Sequence, residues 1–152
     1  MSVYRNMNIV YLQLGSNIGD RKQQLESAIS DIKEQIGDIT NFSKVYESSP
    51  WRVDGQPNYL NQVLKVKTEY DAEKVLNMAL DIENGLGRKK VEKWGERLID
   101  IDIIFYNNTI IETTDLCVPH KHMHERKFVL IPLNEIASDY IHPKYGKTVD
   151  VL

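Results

Sequence analysis

The sequence predicts an α+β domain, on three observations. Two stretches carry apolar residues at spacings of four, three and four, the stripe of an amphipathic helix. Between and after them lie short apolar or alternating runs bounded by glycine, proline and asparagine, which read as strands. The composition, 41% hydrophobic and 27% charged over 152 residues, is that of one ordinary globular domain rather than a disordered, collagen-like or coiled-coil chain. A chain of this length buries about two-thirds of its unfolded surface, so the core needs no metal or disulfide staple.

Asn8 to Leu14 is an apolar run that ends at Gly15-Ser16-Asn17, a strand followed by a turn. Asp20 stands at a helix N-cap with Gln23 three residues on, as in a capping box. Leu25, Ile29, Ile32 and Ile36 mark the buried face of that helix, and Gly37 stands where a left-handed C-terminal glycine is expected. Ile39 to Tyr46 reads as a strand. Ser49 to Asn58, with Pro50, Gly55 and Pro57, reads as a loop. Tyr59 to Thr68 is a strand with Leu60, Leu64 and Val66 on one face. Asp71 caps a second helix marked by Val75, Ala79, Ile82 and Leu86. Gly87 to Arg97 is a basic loop. Leu98 to Tyr106 is a strand with Ile99, Ile101, Ile103 and Phe105 on one face and Asp100 and Asp102 on the other. Asn107-Asn108 is a turn from which Ile110-Ile111 pairs back, and two short helical pieces follow, around Met123 and over Leu133 to Ala137.

Strand, helix, strand, strand, helix, strand is the ferredoxin-like βαββαβ order. The expectation is one domain over residues 1–152: a mostly antiparallel sheet, helices packed on it, and C-terminal additions. Net charge is −3, without the basic excess of a dedicated nucleic-acid binder. The single cysteine, Cys117, has no partner for an internal disulfide. No signal-peptide pattern and no membrane-spanning apolar run is present, so a cytoplasmic domain is expected.

Asp100 and Asp102 are the most informative pair. On a strand they share a face about 6.6 Å apart, at about 3.3 Å per residue. Two adjacent carboxylates repel unless a cation lies between them or water covers the face. Magnesium suits carboxylate and phosphate oxygens, and two such ions can clamp a triphosphate. Arg88, Lys89, Lys90, Lys93 and Arg97 immediately precede the pair, with Trp94 among them. A basic run is commonly a solvated face. A tryptophan inside it fits a lid that covers phosphates and shields a ring. No P-loop and no Gly-x-Gly-x-x-Gly follows a strand, so phosphates would be held by side chains and metal. His120-x-His122-x-His124 lacks a further ligand of matching spacing; phosphate contact, with Arg126 downstream, is the reading for His120. Tyr59 and Asn61 could bring a ring and an amide to one planar ligand, although an edge tyrosine with an exposed asparagine needs no ligand.

The stretch Lys93-Trp94-Gly95-Glu96-Arg97-Leu98-Ile99-Asp100-Ile101-Asp102-Ile103-Ile104 resembles the signature of the 6-hydroxymethyl-7,8-dihydropterin pyrophosphokinases. Leu14-Gly15-Ser16-Asn17, Gln56-Pro57-Asn58-Tyr59-Leu60-Asn61 and Val118-Pro119-His120 with Arg126 and Phe128 resemble three further blocks, in order. The resemblance implies transfer of pyrophosphate from ATP to the pterin hydroxymethyl group, with release of AMP, in folate biosynthesis. It implies that Asp100 and Asp102 hold two magnesium ions and that Arg88 and Arg97 contact phosphates. Glu83, Lys90, His120 and Arg126 would line the nucleotide. Tyr59 and Phe128 would sandwich the pterin, with Asn61 and Ser48 at its edge, Asp100 near its hydroxyl and Trp94 closing over both substrates. The partners are then small molecules, with neither nucleic acid nor membrane, and a monomer is expected. Glu96, Asp115 and Lys121 depart from the common pattern and bear on individual nucleotide contacts. The competing readings are a nucleic-acid-binding ferredoxin-like module, which would need exposed aromatics on the central strands, and another magnesium-dependent nucleotidyltransferase.

Overall fold

The computed structural model describes residues 7–17, 19–48, 58–87 and 99–152. The expected loops over Ser49–Asn58 and Gly87–Arg97 fall almost wholly outside these residues.

Strand β1 (Asn8–Ser16) lies at the middle of a sheet with β4 (Tyr59–Thr68) on one side and β5 (Asp100–Tyr106) on the other, both antiparallel to it. The far edge of β4 carries β2 (Asp38–Phe42) along one half and β3 (Tyr46–Ser48) along the other. One continuous strand was expected there. Instead Ser43, fully buried, turns inward: its N–H donates to the Val63 carbonyl and its Oγ accepts from the Val63 N–H. The polar side chain thereby takes two positions on the β4 ladder and divides the edge strand.

Helices α1 (Arg21–Gln35) and α2 (Ala72–Gly87) cover one face of the sheet. Both start as expected. Asp20 accepts from the Gln23 N–H at 3.1 Å and Asp71 from the Lys74 N–H at 2.8 Å, which satisfies donors the first helical turn leaves open. The capping box is half made, because the Gln23 amide donates onward to Ser27 Oγ. Gly37 is needed for space rather than for a left-handed turn. A Cβ there would lie 2.1 Å from the Lys67 carbonyl oxygen, where α1 hands the chain to the sheet.

Helix α3 (Lys127–Ala137) packs on the opposite face, preceded by a 3₁₀ turn at Met123–Glu125. The sheet is therefore covered on both sides by two separate apolar clusters. Ile99, Ile101 and Ile103 face α1 and α2 as the alternation requires, but Phe105 does not. Leu12 pairs with Ile103 and Tyr11 with Phe105, so Ile104 is an extra residue, a β-bulge. It turns Phe105 to the α3 side, where its ring stacks on Tyr140 at 4.4 Å and meets Tyr11 edge-on. Burial pushes the Tyr140 phenol up to about 12, and its hydroxyl donates to the Asn107 carbonyl. Ile111 pairs with Val118 in a separate two-stranded ribbon, β6 (Ile111–Glu112) and β7 (Cys117–Val118), rather than back onto β5. Among the described residues no helix is long and apolar enough to cross a membrane.

His142, 2% exposed, is held between Phe105 and Tyr145, and its Nδ1 accepts the Lys144 and Tyr145 N–H groups. Burial, with His124 and Lys144 adding, lowers its pKa.

Two outcomes follow for stability. Gly37→Ala forces backbone apart at the α1–β4 contact and should cost about 1–3 kcal/mol, a fall of roughly 2–4 °C per kcal/mol in melting temperature. An unchanged melting temperature would contradict the close approach. The folded pKa of His142 lies below its unfolded value of about 6.5, so the unfolded chain takes up the proton first as pH falls. Its contribution is complete above that pH and is lost below it. Melting temperature should drop between pH 7 and pH 5.5, less steeply in His142→Gln. An NMR titration midpoint of His142 at or above 6.5 would refute this.

Candidate active site

Alternation along three antiparallel strands assembles the site. Asp100 and Asp102 on β5, Gly15 and Gln13 on β1, and Tyr59 and Asn61 on β4 share the sheet face that α3 covers only in part. Gly15 pairs with Asp100 on one side and Asn61 on the other; Gln13 pairs with Asp102 and Val63. Lower on the same face, Tyr11, Val63, Ile104 and Phe105 are buried under α3. The upper half thus presents carboxylates at one edge and an aromatic ring with an amide at the other. Gly15 leaves room between them. A Cβ there would touch Asn61 Oδ1 at 3.5 Å and the Tyr59 ring at 3.6 Å.

Asp102 is exposed and Asp100 half-buried. Between them on the strand, the Ile101 N–H donates to Glu83 Oε2 at 2.6 Å. Glu83 comes from α2 and is 5% exposed, so its carboxylate braces the strand segment that carries the two aspartates. Glu83, expected from the family resemblance to line the nucleotide, thus lies directly behind the strand that carries Asp100 and Asp102.

His120 follows the cis Val118–Pro119 peptide. Its N–H donates to the Ile104 carbonyl at 3.0 Å, so the bulged residue of β5 anchors the chain that bears the imidazole. The His122 N–H points at its Nδ1 from 3.4 Å, which leaves Nε2 as the donor. Burial lowers the His120 pKa; Asp102 opposes the shift, and Arg126 and His122 add to it. His120, Asp102 and Arg126 are thus electrostatic neighbours. Arg126 precedes α3, and its guanidinium lies 5.7 Å from the centre of the Phe128 ring. A cleft of about 270 Å³ opens beside His120, bordered also by His122, His124 and Lys144. The described residues contain no group of three histidine, cysteine, aspartate or glutamate side chains arranged to hold a metal ion.

The amide wall is organised by hydrogen bonds. Asn61, 2% exposed, donates from Nδ2 to Ser48 Oγ at 2.7 Å and accepts at Oδ1 from Gln13 Nε2 at 3.3 Å. Asn61 is therefore buried and bonded, where the bland sequence reading left it exposed. Arg21 of α1 donates to Glu47 and to the Asn58 carbonyl, at 3.1 and 2.8 Å, and so joins β3 to the chain entering β4. The structure brings together Ser48, Tyr59, Asn61, Asp100, Asp102, His120, Arg126 and Phe128 around one half of the sheet face. Arg88, Lys90, Trp94 and Arg97 lie outside the described residues. Sequence reasoning missed Gln13 and Arg21. The signal for Gln13 was available, as the one polar side chain inside the apolar run from Ile9 to Leu14.

The profile of the family described as 7,8-dihydro-6-hydroxymethylpterin-pyrophosphokinase (HPPK) matches residues 11–138. The 2-amino-4-hydroxy-6-hydroxymethyldihydropteridine pyrophosphokinase of Aquifex aeolicus is 44% identical over 141 residues, covering 93% of this chain and 88% of that protein. The Haemophilus influenzae protein of the same name is 41% identical, over 90% of this chain and 86% of its own. Among solved structures, the wild-type HPPK-DHPS of Plasmodium falciparum superposes with a TM-score of 0.81 at 18% identity, over 99% of this chain. That likeness carries the fold alone, and this chain spans 45% of the Plasmodium chain. With the profile over residues 11–138 and curated relatives above 40% identity along nearly its whole length, the chain belongs to the 7,8-dihydro-6-hydroxymethylpterin-pyrophosphokinase family.

Proposed function

We propose that this chain binds ATP and 6-hydroxymethyl-7,8-dihydropterin on the half of the sheet face left open by α3, and transfers pyrophosphate between them in folate biosynthesis. The names of its relatives, which include folic acid synthesis proteins, support that chemistry. The observation that carries the reading is the opposition of two chemistries across β1. Asp100 and Asp102 stand on β5, and Tyr59 with Asn61 stands on β4. A triphosphate belongs with the former and a planar heterocycle with the latter. The hydroxyl to be phosphorylated then lies between them, over Gly15.

Magnesium fits the donor set. The ion takes one or two protein carboxylates and completes its shell with phosphate oxygens and water. Two carboxylates on one strand face, without a third protein ligand among the described residues, match that habit. Asp100 and Asp102 would hold two ions, which when bound neutralise the triphosphate and polarise the β-phosphorus.

The chain's own groups position and shield. Asn61 and Ser48 present polar atoms to the heterocycle edge, and Tyr59 and Phe128 offer ring faces. His120 enters neutral, with Nε2–H as a donor toward a phosphate oxygen, and Arg126 supplies a fixed positive charge beside it. Arg88, Lys90, Arg97 and Trp94 take the phosphates and cover the reacting groups in this reading. The pterin hydroxyl oxygen attacks the β-phosphorus in line and forms the new O–P bond. The bond from that phosphorus to the oxygen bridging the α-phosphate breaks, and AMP leaves with that oxygen. Asp100 is the carboxylate best placed along β5 to orient the hydroxyl and accept its proton. Residues 1–152 act as one domain, a cytoplasmic monomer.

The deciding experiment incubates the protein with magnesium, ATP and the pterin and identifies the nucleotide product. AMP with pterin pyrophosphate supports the reading, whereas release of inorganic pyrophosphate means nucleotidyl transfer. Asp100→Asn and Asp102→Asn should each lower kcat by on the order of 10²-fold or more while leaving circular dichroism unchanged, since metal clamping contributes several kcal/mol at the transition state. Near-normal rates at saturating magnesium in both variants would remove the metal assignment. Tyr59→Ala and Phe128→Ala should weaken pterin binding on the order of tenfold, from lost stacking and lost burial, and ATP binding by less than twofold. Calorimetric titration with each ligand separately checks this; equal losses for both ligands would displace the pterin pocket.

A further inference from the structure

Gln13 occupies the centre of the candidate site and belongs to none of the roles assigned above. It is 4% exposed and flanked in the sheet by Val63 and Asp102. Its Nε2 meets three acceptors: the Phe128 carbonyl at 3.2 Å, Asn61 Oδ1 at 3.3 Å and the Leu14 carbonyl at 3.5 Å. Reversing the amide would turn its oxygen toward three other oxygens, so its orientation is dictated. The Phe128 carbonyl needs such a donor, because its helical partner four residues on is Pro132, which has no N–H. Gln13 therefore ties the first turn of α3 to β1 and, through Asn61, to Ser48 on β3. Its own Oε1 is buried with no hydrogen-bond partner among the described residues.

A side chain chosen only to fill this space would be apolar and would leave no orphaned acceptor. We propose that Gln13 is a positioning residue for the heteroaromatic substrate: it locks the Asn61 amide with its oxygen toward β1 and its N–H₂ toward β3, and holds the Phe128 backbone at a fixed distance from it. This rests on the pterin reading of that wall and deepens it. The edge-reading amide and the ring face are set before the substrate arrives, so less ordering is required on binding. The phosphate half of the site is not engaged by Gln13 Nε2 and is left to other groups.

The test uses the full chain, steady-state AMP formation and each substrate varied separately. Gln13→Met keeps length and removes the donor. It should raise KM for the dihydropterin on the order of tenfold, the scale of one lost polar restraint, with KM for ATP within twofold and kcat little changed. Gln13→Glu should be worse at neutral pH and recover as pH falls, because a protonated carboxyl donates again. Asn61→Ala should cost less pterin affinity in the Gln13→Met background than alone, since coupled residues are not additive. Adding Pro132→Ala separates positioning from propping, because it returns a helical N–H to the Phe128 carbonyl. The pterin defect of Gln13→Met should survive that change. Restoration by Pro132→Ala, additive losses with Asn61→Ala, or equal movement of both KM values would overturn the proposal while the parent activity stands. If Gln13→Met does not fold, the pH response of Gln13→Glu decides in the same way, a flat profile counting against. Absence of AMP from the wild-type protein would overturn the functional reading and this inference together.

Discussion

One extra residue in β5 governs the arrangement of everything above it. A strand sends successive side chains to opposite faces, and a strict alternation would have placed Phe105 with Ile99, Ile101 and Ile103 against α1 and α2. The bulge at Ile104 interrupts that order after the aspartates have already been delivered to the other face. The same face then carries two carboxylates at one end and Ile104 with Phe105 at the other, so it can be both solvent-facing site and buried core. Helix α3 needs the apolar end to dock, and through Phe128 it brings a ring back toward the polar end. The Ile104 carbonyl also receives the His120 N–H, so the bulge that turns Phe105 inward sets the imidazole beside Asp102 as well.

Two clusters of core residues divide the labour. The larger one, between the sheet and α1 with α2, contains none of the candidate site residues. The smaller one supports the site directly, and Phe128 packs at its margin. Electrostatics follow the same division. Asp100 and Asp102 lie on one partly open face, where contact with water moderates their repulsion. Glu83, the carboxylate driven into the interior, accepts a backbone N–H there and holds the strand in place. The carboxylates on the partly open face stay within reach of solvent, and the carboxylate with a backbone partner is buried.

Much of this was legible in the sequence, and the exceptions have physical causes. Asp20 and Asp71 cap their helices because capping is a local interaction between residues three apart. The apolar stripes of α1 and α2 and the shared face of Asp100 and Asp102 follow from periodicity alone. What periodicity cannot see is contact between distant segments. The bulge at Ile104 depends on the pairing of β5 with β1, about ninety residues earlier in the chain, and the burial of Ser43 depends on its bonds to Val63 of β4. Gly37 is fixed by the Lys67 carbonyl rather than by its own turn. Gln13 escaped sequence reasoning because its partners, Asn61 and Phe128, come from two other elements.

The clasp at the mouth of the site carries an evolutionary consequence. Ser48 and Tyr59 are paired across β3 and β4, and Arg21 fastens Glu47 to the Asn58 carbonyl just inside them. The ten residues 49–58 therefore close a loop whose ends are already secured by other contacts. Doubling such a loop adds only about 0.6 kcal/mol of closure entropy. Its length and composition are thus nearly free variables, bounded by function rather than by folding. A lineage can lengthen, shorten or rewrite that connection without moving the Tyr59 ring or the Asn61 amide, which β4 holds in place by its pairing with β1 and β3.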